Sequence, residues 1–143
     1  MVILGRIRTK DKLCKLSNSE LETRNHLFFE CSYSKGIWKS ILGLCRIDRE
    51  IIDWQRELQW AYIKLKGKTL IAIIVRTAWN AYVYLIWEER NRRQFKGKQR
   101  NESEILNSIK ELVAIRLSGK SIDRFDVVNF QLCTVWNILE SSA

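Results

Sequence analysis

A chain of 143 residues that is 46% hydrophobic, with six Trp, four Tyr and five Phe, has the size of one domain and too much apolar surface to stay disordered. The formal net charge of +9 and the pI near 9.6 favour polyanionic partners, nucleic acid first. Cys14, Cys31, Cys45 and Cys133 are too few for a disulfide-stapled miniprotein, and no secretory leader pattern opens the sequence, so the thiols are expected reduced, in an intracellular or nuclear setting.

The sequence has no proline, and Gly36, Gly43, Gly67, Gly97 and Gly119 leave long stretches between them, which predicts an all-α fold. The first 50 residues are the least regular: Leu27, Phe28 and Phe29 form one apolar block and Ile37, Trp38, Ile41 and Leu42 another. Two short helices joined near Cys31 to Ser34 are expected there. Asp53 is a candidate N-cap for a helix whose buried stripe is Trp54, Leu58, Ala61 and Leu65, ending near Gly67.

The next predicted helix runs from about Thr69 to Phe95. It is apolar nearly all round as far as Trp87 and charged beyond it, so the first part should be the central core helix and the end should project towards solvent. Arg76, Thr77 and Asn80 interrupt its apolar run, which points to a buried helix and not a membrane span. Lys96 to Arg100 is linker-like. Asn101 and Glu104 have the spacing of a capping box, with Ile105, Ile109, Leu112, Val113 and Leu117 following at helical steps and Gly119 as the stop. A last helix carries Phe125, Val128, Leu132, Val135 and Leu139 at steps of three and four. The expected architecture is therefore a small helical domain built on one long apolar helix, after a short irregular N-terminal segment.

Two stretches concentrate positive charge and are the candidate nucleic-acid contacts: Arg6, Arg8, Lys10 and Lys12 near the start, and Arg90, Arg92, Arg93, Lys96, Lys98 and Arg100 after the apolar helix. Such clusters hold phosphates of RNA or DNA without reading sequence, through counterion release. Phosphate-binding loops, dinucleotide fingerprints, nucleophile elbows and HExxH are all missing. With a single histidine, His26, and its i,i+4 neighbour Glu30 as an ordinary helical contact, no catalytic residue and no enzyme activity are expected.

Cys14, His26 and Cys31 are the candidate metal ligands, since soft thiolate and imidazole donors suit zinc and His-x4-Cys is a spacing that zinc modules use. On a continuous α-helix His26 and Cys31 would point about 140° apart, so they can share one metal only if the helix ends or bends near Glu30. Three ligands are one short of a closed structural site.

The segments LGRIRTKDKL, ETRNHLFFECSYSKGIW and YLIWEERNRRQF, in this order, resemble the zinc-binding region at the C-terminal end of plant LINE-type (non-LTR) retrotransposon reverse transcriptases. The likeness covers about residues 3 to 42 and continues more weakly to about Leu117. It implies a zinc site whose members match Cys14, His26 and Cys31, with Ser17 standing where the family carries a second cysteine, and a shortened segment between Thr9 and Cys14. A neutral hydroxyl is a much poorer zinc ligand than a thiolate. The resemblance also implies a degenerate zinc-binding-like segment over residues 1–45, with residues 46–143 a helical extension packed with it as one domain. No polymerase activity is expected, because the paired metal-binding carboxylates of a polymerase belong to a much larger fold. The implied role is weak, non-specific nucleic-acid contact. The competing expectation is a structural or protein-interaction remnant that self-associates through exposed apolar side chains and binds no nucleic acid.

Overall fold

A computed structural model describes residues 13–95, 97–119 and 127–139. The described chain is all-α. A π-helical turn, His26–Glu30, is followed by α1 (Ser32–Leu44), α2 (Trp54–Lys64), α3 (Leu70–Gln94), α4 (Glu102–Leu117) and α5 (Val127–Trp136). An antiparallel bridge between Leu13 and Leu21 closes the loop ahead of the π-turn.

Helices α2, α3 and α4 start where side chains satisfy their free N–H groups. The Asp53 carboxylate accepts from Arg56 N at 2.9 Å and the Thr69 hydroxyl from Ala72 N at 3.3 Å. Asn101 Oδ1 accepts from Glu104 N at 2.9 Å while Glu104 accepts from Asn101 N at 3.4 Å, the reciprocal capping box its spacing predicts. At the other end of α2, the Arg76 guanidinium donates to the carbonyls of Leu65 and Gly67. Gly119, at φ +83°, takes the left-handed conformation just beyond α4.

Helix α3 is the spine. Its buried residues Ala72, Ile74, Val75, Ala78, Tyr82, Leu85 and Ile86 pack against Ile105, Ile109 and Val113 of α4 and the Ile37, Trp38, Ile41 and Leu42 face of α1. By length and composition α3 could cross a membrane; in this fold much of its surface is covered by the other helices. At the centre, Trp38 lies edge-on to Trp79, with ring centroids 5.3 Å apart, and both approach Phe29. Such aromatic pairs add to the free energy of apolar burial.

Four expectations are corrected. On α2 the inward position next to Trp54 and Ala61 belongs to Glu57, which is fully buried, while Leu58 is 46% exposed. The carboxylate is tolerated because its oxygens receive Arg49 Nη1 and Nη2 at 2.9 and 2.7 Å, Ile52 N at 2.9 Å and Trp38 Nε1 at 3.2 Å. On α4, Leu112 is exposed beside the buried row Ile105, Ile109, Val113 and Leu117. On α5 the buried residues are Leu132, Cys133 and Trp136; Val128 and Val135 are exposed, Leu139 lies beyond the end of the helix and is also exposed, and Phe125 lies outside the described residues. That helix is apolar on more than one side, and the face carrying the largest ring is the one that packs. Finally, the charged end of α3 does not project freely into solvent: Glu89 is fully buried, and Arg90 and Arg93 are largely covered.

Candidate metal centre

The loop ahead of the π-turn makes a tight reversal. Cys14 N donates to Glu20 O and Asn18 N to Cys14 O, each at 2.7 Å, with Asn18 in the left-handed region at φ 56°. Leu16 N approaches Cys14 Sγ at 3.4 Å and Ser19 N approaches Ser17 Oγ at 3.4 Å. The turn delivers Ser17 Oγ to 3.3 Å from His26 Nε2.

The second half of the centre comes from the π-turn. Thr23 starts it, its hydroxyl accepting from His26 N at 3.0 Å and its carbonyl from Leu27 N at 2.9 Å. The closing bond is Cys31 N to His26 O at 2.7 Å, an i→i+5 contact. That wider turn brings residues five apart round to the same side, which removes the angular mismatch of a regular helix. Cys31 then leaves the helical region, with ψ 129°, and becomes the N-cap of α1.

A change from π to α geometry strands carbonyls, and the fold satisfies them. The Ser34 hydroxyl donates to Leu27 O, and the Tyr82 hydroxyl, reaching across from α3, lies 2.5 Å from Phe28 O and 2.8 Å from Ser34 O. Complete burial pushes the Tyr82 phenol well above its ordinary range, so it remains a donor at any physiological pH. Asn25 adds a brace, accepting from Trp54 N at 2.8 Å and so fixing α2 to the start of the π-turn.

Together these elements converge the ligand atoms of Cys14, His26 and Cys31 to within 4.8 Å of one another, with all three residues buried. The two sulfurs are 3.9 Å apart. The Cys14 thiol donates to Cys31, which pulls the Cys31 thiol below its ordinary range; burial opposes the shift, and the N–H groups of Ser34 and Tyr33 at the start of α1 reinforce it. The same hydrogen bond and burial push Cys14 well above the usual thiol range.

The loop is clamped to α3. Arg90 grips Glu22 through Nε at 2.9 Å and Nη2 at 2.8 Å, and Arg93 Nη1 donates to Leu16 O at 3.2 Å. Arg93 also pairs with Glu89 at 2.9 Å and stacks over the Tyr33 ring at 4.6 Å, while Arg100 meets Glu89 at 3.0 Å and Glu88 at 2.8 Å.

The structure thus brings Cys14, Ser17, His26 and Cys31 together. Of the candidate nucleic-acid contacts, Arg90, Arg93 and Arg100 are held in ion pairs inside the fold. Arg92 keeps a partly exposed guanidinium 3.6 Å from Glu88, and Lys98 is exposed. Arg6, Arg8, Lys10, Lys12 and Lys96 lie outside the described residues. Glu22, Ser34 and Tyr82 position the centre and were not singled out from sequence; a carboxylate or hydroxyl far along the chain leaves no local signal.

Neither protein-family models, nor curated proteins, nor solved structures give a match to this chain.

Proposed function

We propose that the chain is a non-catalytic module of retroelement origin that contacts nucleic acid weakly and without sequence preference, and that Cys14, His26 and Cys31 hold one zinc ion within it. The observation that carries the metal reading is the sulfur–sulfur separation of 3.9 Å. Two thiolates each about 2.3 Å from a tetrahedral zinc stand about 3.8 Å apart, so the pair needs almost no adjustment to take the ion. His26 would be the third donor, and Ser17, whose Oγ is 3.3 Å from the imidazole Nε2, would complete the shell through its hydroxyl or a water it orients. The burial of the donors suits a structural ion that ties the loop at residues 13–22 to the helical body. Two thiolates also neutralise the ion's charge, which favours burial of the whole group.

The nucleic-acid part rests on the net charge of +9 and on the resemblance carried by the sequence. Elemental analysis of the purified chain tests the first part, with about one zinc per chain expected and a Cys31→Ser variant losing it. Retention on generic RNA and DNA across a salt series tests the second, with affinity expected to fall steeply as salt rises. Salt-insensitive self-association without nucleic-acid retention would instead support a structural remnant.

A further inference from the structure

We propose that an aromatic groove formed by α3 with Arg24, Phe28 and Trp54 is the surface that receives nucleic acid, and that it takes a single strand. The proposal rests on the nucleic-acid reading above and names its site. Asn80, Val83, Tyr84 and Trp87 recur at i, i+3, i+4 and i+7 on α3 and so share one face. With Arg24, Phe28, Trp54 and Trp79 they line a single open groove. Tyr84 is 63% exposed and Trp87 37%, an unusual place for two large rings on the longest core helix.

Charge decides between occupants. The Arg24 guanidinium sits 5.1 Å from the centre of the Trp54 ring, and no carboxylate pairs with it among the described residues. Arg24 and Trp54 also line the adjoining groove with Arg56, whose side chain is 71% exposed and only loosely paired with Asp53 at 3.6 Å. Ring faces flanked by guanidinium groups are what an unpaired strand uses: its bases stack on the rings and its phosphates meet the cations. A duplex keeps its bases stacked on each other and cannot use the rings. A second copy of this chain docked two-fold on the groove would bring the Arg24 groups of both copies into one patch.

Titration of the full chain with a ten-nucleotide oligo(dT), read by tryptophan fluorescence, tests this, with a poly(dA)·poly(dT) duplex as the comparison. The expected results are preference for the single strand, quenching on binding, and about tenfold weaker binding for Trp87→Ala and for Tyr84→Ala. Arg24→Ala should reduce the salt slope by about 0.7. Because Tyr84 is mostly exposed, its variant keeps the test meaningful even if Trp87→Ala melts lower. If the oligonucleotide binds and neither ring variant weakens it, the groove is not the surface, although the nucleic-acid reading stands. If neither strand form binds at low salt, both readings fail. If the rings instead govern concentration-dependent dimerisation, the groove is a self-association surface and the proposal is overturned.

Discussion

Arg90, near the end of α3, makes a two-pronged ion pair with Glu22, on the loop that carries Cys14 and Ser17, at 2.9 and 2.8 Å. Glu22 is almost wholly buried and 68 residues away in sequence. The cationic stretch at and beyond the end of α3 therefore serves the fold itself. Three of its arginines hold buried or half-buried carboxylates, and two of them reach the segments that frame the metal ligands.

Arg90→Ala should be destabilising, by about 1.5–3 kcal/mol in urea unfolding, because it removes a two-pronged charge-assisted hydrogen bond between largely buried groups. Replacing both residues, as Arg90→Met with Glu22→Leu, should recover most of the loss, since a buried pair is commonly no more stable than an apolar pair of its size. A single Arg90→Ala variant within about 0.5 kcal/mol of the parent, the range of ordinary surface substitutions, would show that the clamp is not formed.

Tyr82→Phe removes one hydroxyl and leaves the carbonyls of Phe28 and Ser34 short of a donor. A loss of about 1–3 kcal/mol is expected, together with weaker zinc retention in a chelator competition, because Phe28 lies in the turn that joins His26 to Cys31. If stability falls and zinc retention does not, the π-turn keeps its shape without this support.

Glu89 gives the fold an acid-sensitive element. Burial pushes its pKa up, but hydrogen bonds from Arg100 N, Arg93 and the Arg100 side chain outweigh this and hold it below the ordinary 4.5. A carboxylate depressed in the folded state adds stability above its unfolded pKa and loses it as pH falls through the folded one. Melting temperature should therefore drop from about pH 5 downwards, and Glu89→Gln, less stable at neutral pH, should show a flatter acid limb. Equal acid limbs would assign the sensitivity to other carboxylates.

What the sequence made legible follows from how local each signal is. Asp53, Thr69 and the Asn101–Glu104 pair mark helix starts within one turn, and the apolar density of α3 needs no partner to be read. The π-turn is half legible: His26 and Cys31 can share one metal only if the helix ends or bends near Glu30, but no periodicity reveals an i→i+5 bond. Hydropathy points to Leu58 and not Glu57 as the inward residue because it assigns a carboxylate to solvent, and only Arg49, Ile52 and Trp38 together reverse that assignment. Arg90, Arg93 and Arg100 looked like a free basic cluster for the same reason, their acidic partners being buried and, for Arg90, distant.

The sharpest test of a zinc ion held by Cys14, His26 and Cys31 is the zinc content and metal-dependent melting of the parent beside Ser17→Cys. About one zinc per parent chain is expected, with a melting temperature that falls on chelation and returns with zinc; free zinc at a hundred times its Kd should contribute about 2.7 kcal/mol. Ser17→Cys should bind more tightly and melt higher with metal, because the turn already places residue 17 beside His26 and a thiolate completes a tetrahedral set. A parent and a Ser17→Cys variant that both purify without zinc and melt identically with and without chelator would rule the metal centre out, and Cys14, His26 and Cys31 would then be packing residues only.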